Sequence, residues 1–222
     1  MMRWVNKETE LYGSFAKSAG NVGCQMMNSA FYYYGMNKIY KSFSVDNIED
    51  AVNAVKTLNI KGFAITMPYK KEILEFVDEM DDNVKEIGAA NTVINNNGTL
   101  KAYNTDYLAA QAYLSHIANE VHQSFNNFYI LGNGGYAAAV KSAAKKLNME
   151  FINITRNNWD LIFNIKHSLI YNCTPIETLN FLHEDNIFID CIVTTETGLK
   201  LATMQASHQF NLYTNLEFPW KK

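Results

Sequence analysis

The chain has 222 residues, enough for one large or two small domains with hydrophobic cores of their own. Hydrophobic residues make up 48% and charged residues 18%, a globular balance that excludes a disordered chain. A net charge of −3, with no basic cluster or arginine-rich stripe, gives no electrostatic footprint for nucleic acid or an anionic membrane.

Cys24, Cys173 and Cys191 are widely spaced and odd in number, which suggests reduced thiols in the cytosol and neither a disulfide framework nor a metal knuckle. His116, His122, His167, His183 and His208 do not cluster at ligand spacing, so no metal is expected. The opening MMRWVNKETE lacks the apolar run of a signal peptide, and no stretch approaches the length needed to span a bilayer.

Short apolar β-rich runs alternate with amphipathic stretches, the pattern of an α/β chain with parallel sheets. In chain order, the pattern predicts a helix over Gln25 to Tyr34 ending at Gly35, then a strand near Lys38 to Phe43. Asn47 to Leu58 has helical spacing, with Asp46 available as its N-cap. Gly62 to Thr66 reads as a buried strand stopped by Pro68, and Lys71 to Met80 as an amphipathic helix. Thr92 to Asn95, the turn Asn96-Asn97-Gly98 and Leu100 to Tyr103 predict a hairpin, followed by a helix over Tyr107 to Ala118. A second region follows. Its predicted strands are Phe128 to Leu131, Phe151 to Thr155, Ser168 to Asn172 and Ile187 to Val193; its predicted helices are Ala137 to Leu147 and, last, Leu199 to Tyr213.

Two places carry chemistry. Leu131-Gly132-Asn133-Gly134-Gly135-Tyr136-Ala137 sets a GxGGxA loop between a strand and a helix, where small residues let a dinucleotide pyrophosphate approach the helix N-terminus. An ordinary tight βα turn would read the same way. The run Thr155-Arg156-Asn157 ends the next strand where an NAD-selecting acid usually stands; Arg156 there points to the 2′-phosphate of NADP, or is a solvated surface arginine. In the first region, polar groups gather at Ile65 to Lys70, Gly88 to Thr92 and Tyr103 to Asp106. A lysine held near an aspartate can move a proton at a substrate hydroxyl or carbonyl, while Asn and Thr side chains hold other hydroxyls. Singly, Lys70 beside Lys71 also reads as a solvated helix start, and Asp106 as a helix cap.

In order along the chain, these runs resemble the shikimate dehydrogenase family. Ile65 to Lys70 is similar to its V-T-x-P-x-K segment, Gly88 to Thr92 to G-A-x-N-T, and Asn104-Thr105-Asp106 to N-T-D. Leu131 to Ala137 resembles L-G-x-G-G-x-A, Asn172-Cys173-Thr174-Pro175 resembles N-x-T-P, and Gly198 with Gln205-Ala206 and Gln209-Phe210 resembles the closing helix. The resemblance implies a substrate-binding α/β domain over residues 1–107, completed by a C-terminal helix at 199–222 packing back on it. A shortened Rossmann-type NADP-binding domain over 108–198 is implied beside it. It further implies a cytoplasmic enzyme of the shikimate pathway of aromatic amino acid biosynthesis, reversibly reducing 3-dehydroshikimate to shikimate, or a related hydroxylated cyclic acid, with NADP(H).

By resemblance, Lys70 and Asp106 are catalytic, and Ser14, Thr66, Asn91 and Gln205 bind the acid. Gly132, Gly134, Gly135, Ala137, Arg156, Asn172 and Thr174 take the cofactor, NADP in preference to NAD. Three departures accompany it. Gly20-Asn21-x-Gly23 is closer to the shikimate dehydrogenase-like branch, with Ser14 kept near the carboxylate. The chain passes almost directly from Asp190-Cys191-Ile192-Val193 to Gly198, where the family has a further helix and strand of roughly 30 residues. The family's tyrosine after that strand is replaced near Val193. A trimmed sheet with an exposed apolar edge makes a homodimer an expectation, and a weakened or inactive descendant that binds a small molecule or a protein is the alternative to the enzyme.

Overall fold

A computed structural model describes residues 5–120, 125–176, 179 and 182–219. Two compact units emerge: residues up to Thr105 together with those from Gln205 onward, and Asp106–Met204.

The first unit holds a six-stranded sheet built from β1 (Glu10–Ala16), β2 (Lys38–Ser44), β3 (Gly62–Ile65), β4 (Glu79–Met80), β5 (Thr92–Asn96) and β6 (Thr99–Tyr103), in the order β2-β1-β3-β5-β6-β4. The β1–β2 and β1–β3 pairs are parallel; β5 runs antiparallel to both β3 and β6. Helix α1 (Val22–Tyr33) is tied to β2 through Asn28: its Oδ1 accepts from the Tyr40 N–H at 2.9 Å, and its Nδ2 donates to the Tyr40 carbonyl at 2.7 Å. Helix α2 (Ile48–Thr57) buries Ile48, Val52 and Val55 against Phe15, Phe63, Ile65 and Val93, the main core of this unit. The β5–β6 turn is Asn97-Gly98, with φ of 54° and 102° at the two residues, the left-handed pair a two-residue hairpin demands.

Three expectations are corrected. The strand β1 was not anticipated, because its burial on both faces removes the alternation that marks a half-exposed strand. The N-cap of α2 is Asn47, whose Oδ1 accepts from the Glu49 N–H at 2.7 Å, while Asp46 pairs with Lys17. Lys71 to Met80 is no continuous helix: a 3₁₀ turn over Glu72–Glu75 leads into β4. Here Asp78 N–H donates to the Leu100 carbonyl at 2.9 Å, and Asp78 Oδ2 accepts from Leu100 N–H at 2.7 Å. Ile73, Leu74, Phe76, Val77 and Met80 reach the same core either way, and bonding to β6 overrides helical propensity. A short helix, α3 (Asp82–Ile87), follows, capped by the Asp81 carboxylate on Val84 N–H.

The second unit begins with α4 (Thr105–Glu120), whose first residue still belongs to the first unit. Its sheet is wholly parallel: β7 (Phe128–Leu131), β8 (Ile152–Ile154), β9 (Leu169–Asn172) and β10 (Ile187–Asp190), in the order β10-β9-β7-β8. Helix α5 (Gly135–Lys146) buries Ala137, Ala139, Val140, Ala143 and Ala144, a small-residue face suited to close approach. The last helix, α6 (Glu196–Thr214), crosses the unit boundary; Ala206, Phe210 and Tyr213, at i, i+4 and i+7, complete a first-unit core with Tyr12, Met27, Phe31 and Tyr40. Among the described residues, no helix is long and apolar enough to cross a membrane.

Where β10 ends, the connection to α6 is tight. The Ile187 and Cys191 N–H groups bond to the carbonyls of Ser168, just before β9, and of Asn172 at its end, so the alternating Asp190 groups face the outer edge. There the Thr197 hydroxyl takes both: Asp190 N–H donates to Thr197 Oγ1 at 3.0 Å, and Thr197 Oγ1 donates to the Asp190 carbonyl at 3.1 Å. Thr195 Oγ1 caps α6 by accepting from Gly198 N–H at 3.1 Å. A Cβ on Gly198 would lie 1.9 Å from the Ile192 carbonyl oxygen. Gly198→Ala is expected to cost about 3 kcal/mol by overpacking, seen as a lower urea midpoint. Tyr213 offers the opposite case. Its buried hydroxyl has no hydrogen-bond partner among the described residues, and burial pushes its phenol well above the ordinary range. Tyr213→Phe is expected to raise stability by about 1 kcal/mol in the same assay.

Candidate active site

The strands of the first unit deliver a closed polar network to one place. Asn91 lies just before β5, where its carbonyl accepts from Ile65 N–H at 2.8 Å and its N–H donates to the Tyr103 carbonyl at 3.1 Å. With its backbone anchored between β3 and β6, its side chain addresses the start of α4. Asn91 Oδ1 accepts from Thr105 N–H at 2.7 Å, and Asn91 Nδ2 donates to Thr105 Oγ1 at 3.0 Å. The helix thus has an N-terminal amide satisfied from outside its own sequence. Thr92 Oγ1 donates to Asn91 Oδ1 at 3.1 Å, and Asn104 Nδ2 donates to the Ala89 carbonyl at 2.8 Å. From α6, Gln205 Nε2 donates to Thr105 Oγ1 and Gln209 Nε2 to Thr92 Oγ1, each at 2.9 Å. Gln205 and Gln209 are four apart, so one helical face carries both amides. Asn91, Thr92, Asn104, Thr105 and Gln209 are all buried, where each bond has lost its competition from water.

Lys70 is attached to this network through its backbone: its carbonyl accepts from Ala90 N–H at 2.7 Å, one residue before Asn91. Its side chain is part-exposed. Thr66 is exposed, and its N–H donates to the Phe15 carbonyl at 3.1 Å, beside Ser14. Ser14 does not join the Asn91 network; its hydroxyl bonds to the Tyr40 phenol, whose burial drives that group far above its usual range. The structure therefore gathers Asn91 and Gln205 directly, through Thr105, and Lys70 through the chain. Asp106 is buried and follows Thr105 in sequence, as the first residue of the second unit.

In the second unit the glycine loop leaves β7 with Gly132 at φ +108°, in the left-handed region. Its missing Cβ would stand 3.2 Å from the Cys173 carbonyl oxygen, so Gly132 serves close packing as well as the turn. Gly134 is the N-cap of α5 with no side-chain cap, and a Cβ there would meet nothing within 4 Å. Gly134 thus leaves open backbone at an uncapped helix start, with half-buried Gly135 as the first helical residue, while buried Ala137 seats the helix on the sheet. These features fit a phosphate-bearing dinucleotide.

Asn172 and Thr174 form a second cluster at the end of β9. Asn172 Oδ1 accepts from Thr174 N–H at 2.9 Å and from Thr174 Oγ1 at 2.7 Å, while its Nδ2 donates to Asp190 Oδ1 at 3.2 Å. Burial raises the Asp190 carboxyl above the ordinary carboxylate range, against the pull of hydrogen bonds from Ile192 N–H and Asn172. Arg156 is exposed at the start of a 3₁₀ segment, Arg156–Asn164, which Thr155 and Asn158 cap reciprocally. Tyr136 and Tyr171 bring their hydroxyls to 2.9 Å. Both phenols are raised well above their usual value, mainly by burial, with the Asp106 charge adding a smaller push. Among the described residues, no group of three or more His, Cys, Asp or Glu side chains is arranged to hold a metal ion.

Sequence reasoning did not single out Thr92, Thr105 or Gln209 as site residues. Each sits inside a motif it had quoted, and the i, i+4 spacing of the two glutamines was the available signal.

The shikimate dehydrogenase substrate binding domain model matches residues 21–93. A shikimate dehydrogenase (NADP(+)) of Methanococcus aeolicus is 33% identical over 199 residues, covering 88% of this chain and 71% of the relative. The chain belongs to the shikimate dehydrogenase family. A shikimate dehydrogenase-like protein of Haemophilus influenzae is 36% identical over 155 residues, covering 69% of this chain and 56% of that protein. The crystal structure of shikimate dehydrogenase from Aquifex aeolicus superposes with a TM-score of 0.75 at 26% identity, covering 97% of this chain and 96% of that one. The α/β class with a Rossmann-like second unit is therefore that of the shikimate dehydrogenase family. The chain spans 56–62% of the length of three curated relatives it matches.

The Asn91 network predicts its own failure. Asn91→Ala leaves the Thr105 N–H buried without its acceptor, while the Thr105 hydroxyl keeps its bond from Gln205, and is expected to cost about 3 kcal/mol in urea denaturation.

Proposed function

We propose that the chain is a shikimate dehydrogenase-like oxidoreductase that reversibly reduces 3-dehydroshikimate, or a related hydroxylated cyclic acid, with NADP(H). One observation carries the reading. The Asn91–Thr105 network has the Lys70 backbone bonded one residue to one side and Asp106 joined by a peptide bond on the other. The backbone segments that carry a proton-carrying amine and a carboxylate are thereby both anchored to this network. The NADP(+) in the names of family members supports the cofactor assignment.

NADP(H) supplies or accepts the hydride. On reduction Lys70 gives the proton to the new hydroxyl oxygen, and Asp106 orients the ammonium; in the reverse direction Lys70 takes that proton back. Asn91 and Gln205 hold ring hydroxyls with amide groups whose orientation Thr105 dictates, and Thr66, exposed at the end of β3, supplies a further hydroxyl. Ser14 holds the acid's carboxylate. The two units divide the labour: the first binds the acid, and the second takes the dinucleotide at Gly132, Gly134, Gly135 and Ala137. Asn172 and Thr174 would offer polar groups to the nicotinamide half of the cofactor, and Arg156 would pair with the ribose 2′-phosphate.

The short Asp190–Gly198 connection favours a second reading, a descendant that binds a small acid or a protein partner without turnover. Purified protein mixed with NADP and shikimate, followed by absorbance of the reduced cofactor, separates the two. Turnover that falls about 10²-fold or more in Lys70→Ala and in Asp106→Asn is the expected result. Absent turnover with ligand binding intact would leave only the second reading.

A further inference from the structure

Helix α5 carries a cation that the assignment above does not use. Lys141 Nζ donates to Asn133 Oδ1 at 2.8 Å and to Asn153 Oδ1 at 3.1 Å. Asn133 is the second residue of the glycine loop, and Asn153 is the central residue of β8. Asn153 is itself fixed, because its Nδ2 donates to the Ile130 carbonyl at 2.8 Å and to the Gly132 carbonyl at 2.9 Å. Its amide oxygen is thereby turned toward Lys141. The flexible lysine stem is held by two amide oxygens, which accept hydrogen bonds without cancelling its charge.

The location matters as much as the charge. In a parallel sheet of this kind the adenosine ribose lies outside the carboxyl ends of the strands, between the glycine loop and the end of the neighbouring strand. Lys141 borders that interval, bonded to the loop residue Asn133 and to Asn153, one residue short of the end of β8, while Arg156 stands on the exposed segment just past that end. A ribose bearing a 2′-phosphate would meet a guanidinium from one side and an ammonium from the other; a ribose with a plain 2′-hydroxyl would gain little from either.

We propose that Lys141, held by Asn133 and Asn153, is a second 2′-phosphate-binding residue beside Arg156 and selects NADP-type over NAD-type dinucleotides. The inference rests on the dinucleotide half of the proposed function, and not on its chemistry. Its test therefore uses ligands without a nicotinamide. Adenosine 2′,5′-bisphosphate and adenosine 5′-monophosphate are titrated calorimetrically into the full chain, its Lys141→Met variant and its Lys141→Arg variant.

Wild type is expected to prefer the bisphosphate. Lys141→Met should weaken that ligand about tenfold or more and leave the monophosphate unchanged, since a hydrogen bond to a charged group is lost from one ligand only. Lys141→Arg should keep most of the preference, and raising the salt concentration should shrink it. Equal weakening of both ligands in Lys141→Met would mean that the lysine merely braces the loop, and no change in either would mean that the phosphate lies elsewhere; each overturns the proposal. Absence of preference in wild type overturns it too. Turnover without 2′-phosphate discrimination would keep the oxidoreductase and remove this role of Lys141, whereas discrimination without turnover would do the reverse.

Discussion

One carboxamide organises the candidate site. The Asn91 side chain accepts from the backbone N–H of Thr105 and donates to its hydroxyl, so a residue at the head of β5 specifies where α4 begins. Because both partners are buried, neither can exchange its bond for one with water, and the geometry is set by the requirement that no donor be left alone. The hydroxyls of Thr92 and Thr105 then become fixed acceptors for the two glutamines of α6. Three segments far apart in the chain meet through one amide, and Asp106 follows directly from the last atom of that arrangement.

The second unit relies on a different device. Its parallel strands carry short polar clusters, Asn172 with Thr174 and Asp190 at the ends of β9 and β10, and Asn153, within β8, with Asn133 and Lys141. In each cluster an asparagine bonds both to backbone and to a second side chain. Such a residue converts a strand end, which would otherwise fray, into a platform of known orientation. The abundance of asparagine, which looks featureless in the sequence, has this structural use at several points.

Much of the fold was legible because local chemistry and tertiary need agree there. The Asn97-Gly98 turn, the apolar run Gly62 to Ile65 and the alanine-rich face of α5 each carry a signal that no distant contact contradicts. Legibility failed where a distant partner decides. The segment from Glu72 to Met80 is drawn from helix into a turn and a strand by backbone bonds to β6, and β1 is hidden by being covered on both faces. The candidate site was readable as a set of ordered motifs, which named Asn91 and Gln205. Their meeting point, Thr105, was not readable, since a threonine at a helix start serves ordinary capping just as well. Lys141 carried no signal at all; only the positions of Asn133 and Asn153 reveal what it reaches.

The hydroxyl of Thr197 bears on how this chain relates to longer relatives. A strand that ends a sheet normally needs a neighbour, a charge or a covering element to quiet its free polar groups. Here one oxygen, serving as donor and acceptor at once, satisfies the outward pair on Asp190. The lock joins Asp190 at the end of the strand to Thr197 on the helix, and so holds the stretch between them, Cys191 to Glu196, at its present length. A longer segment inserted in that stretch would part the two residues and return the outward groups of Asp190 to the sheet edge, where an added strand could take them. Length variation at this point thus exchanges one partner of the edge for another: a threonine hydroxyl in the short connection, a further strand in a longer one.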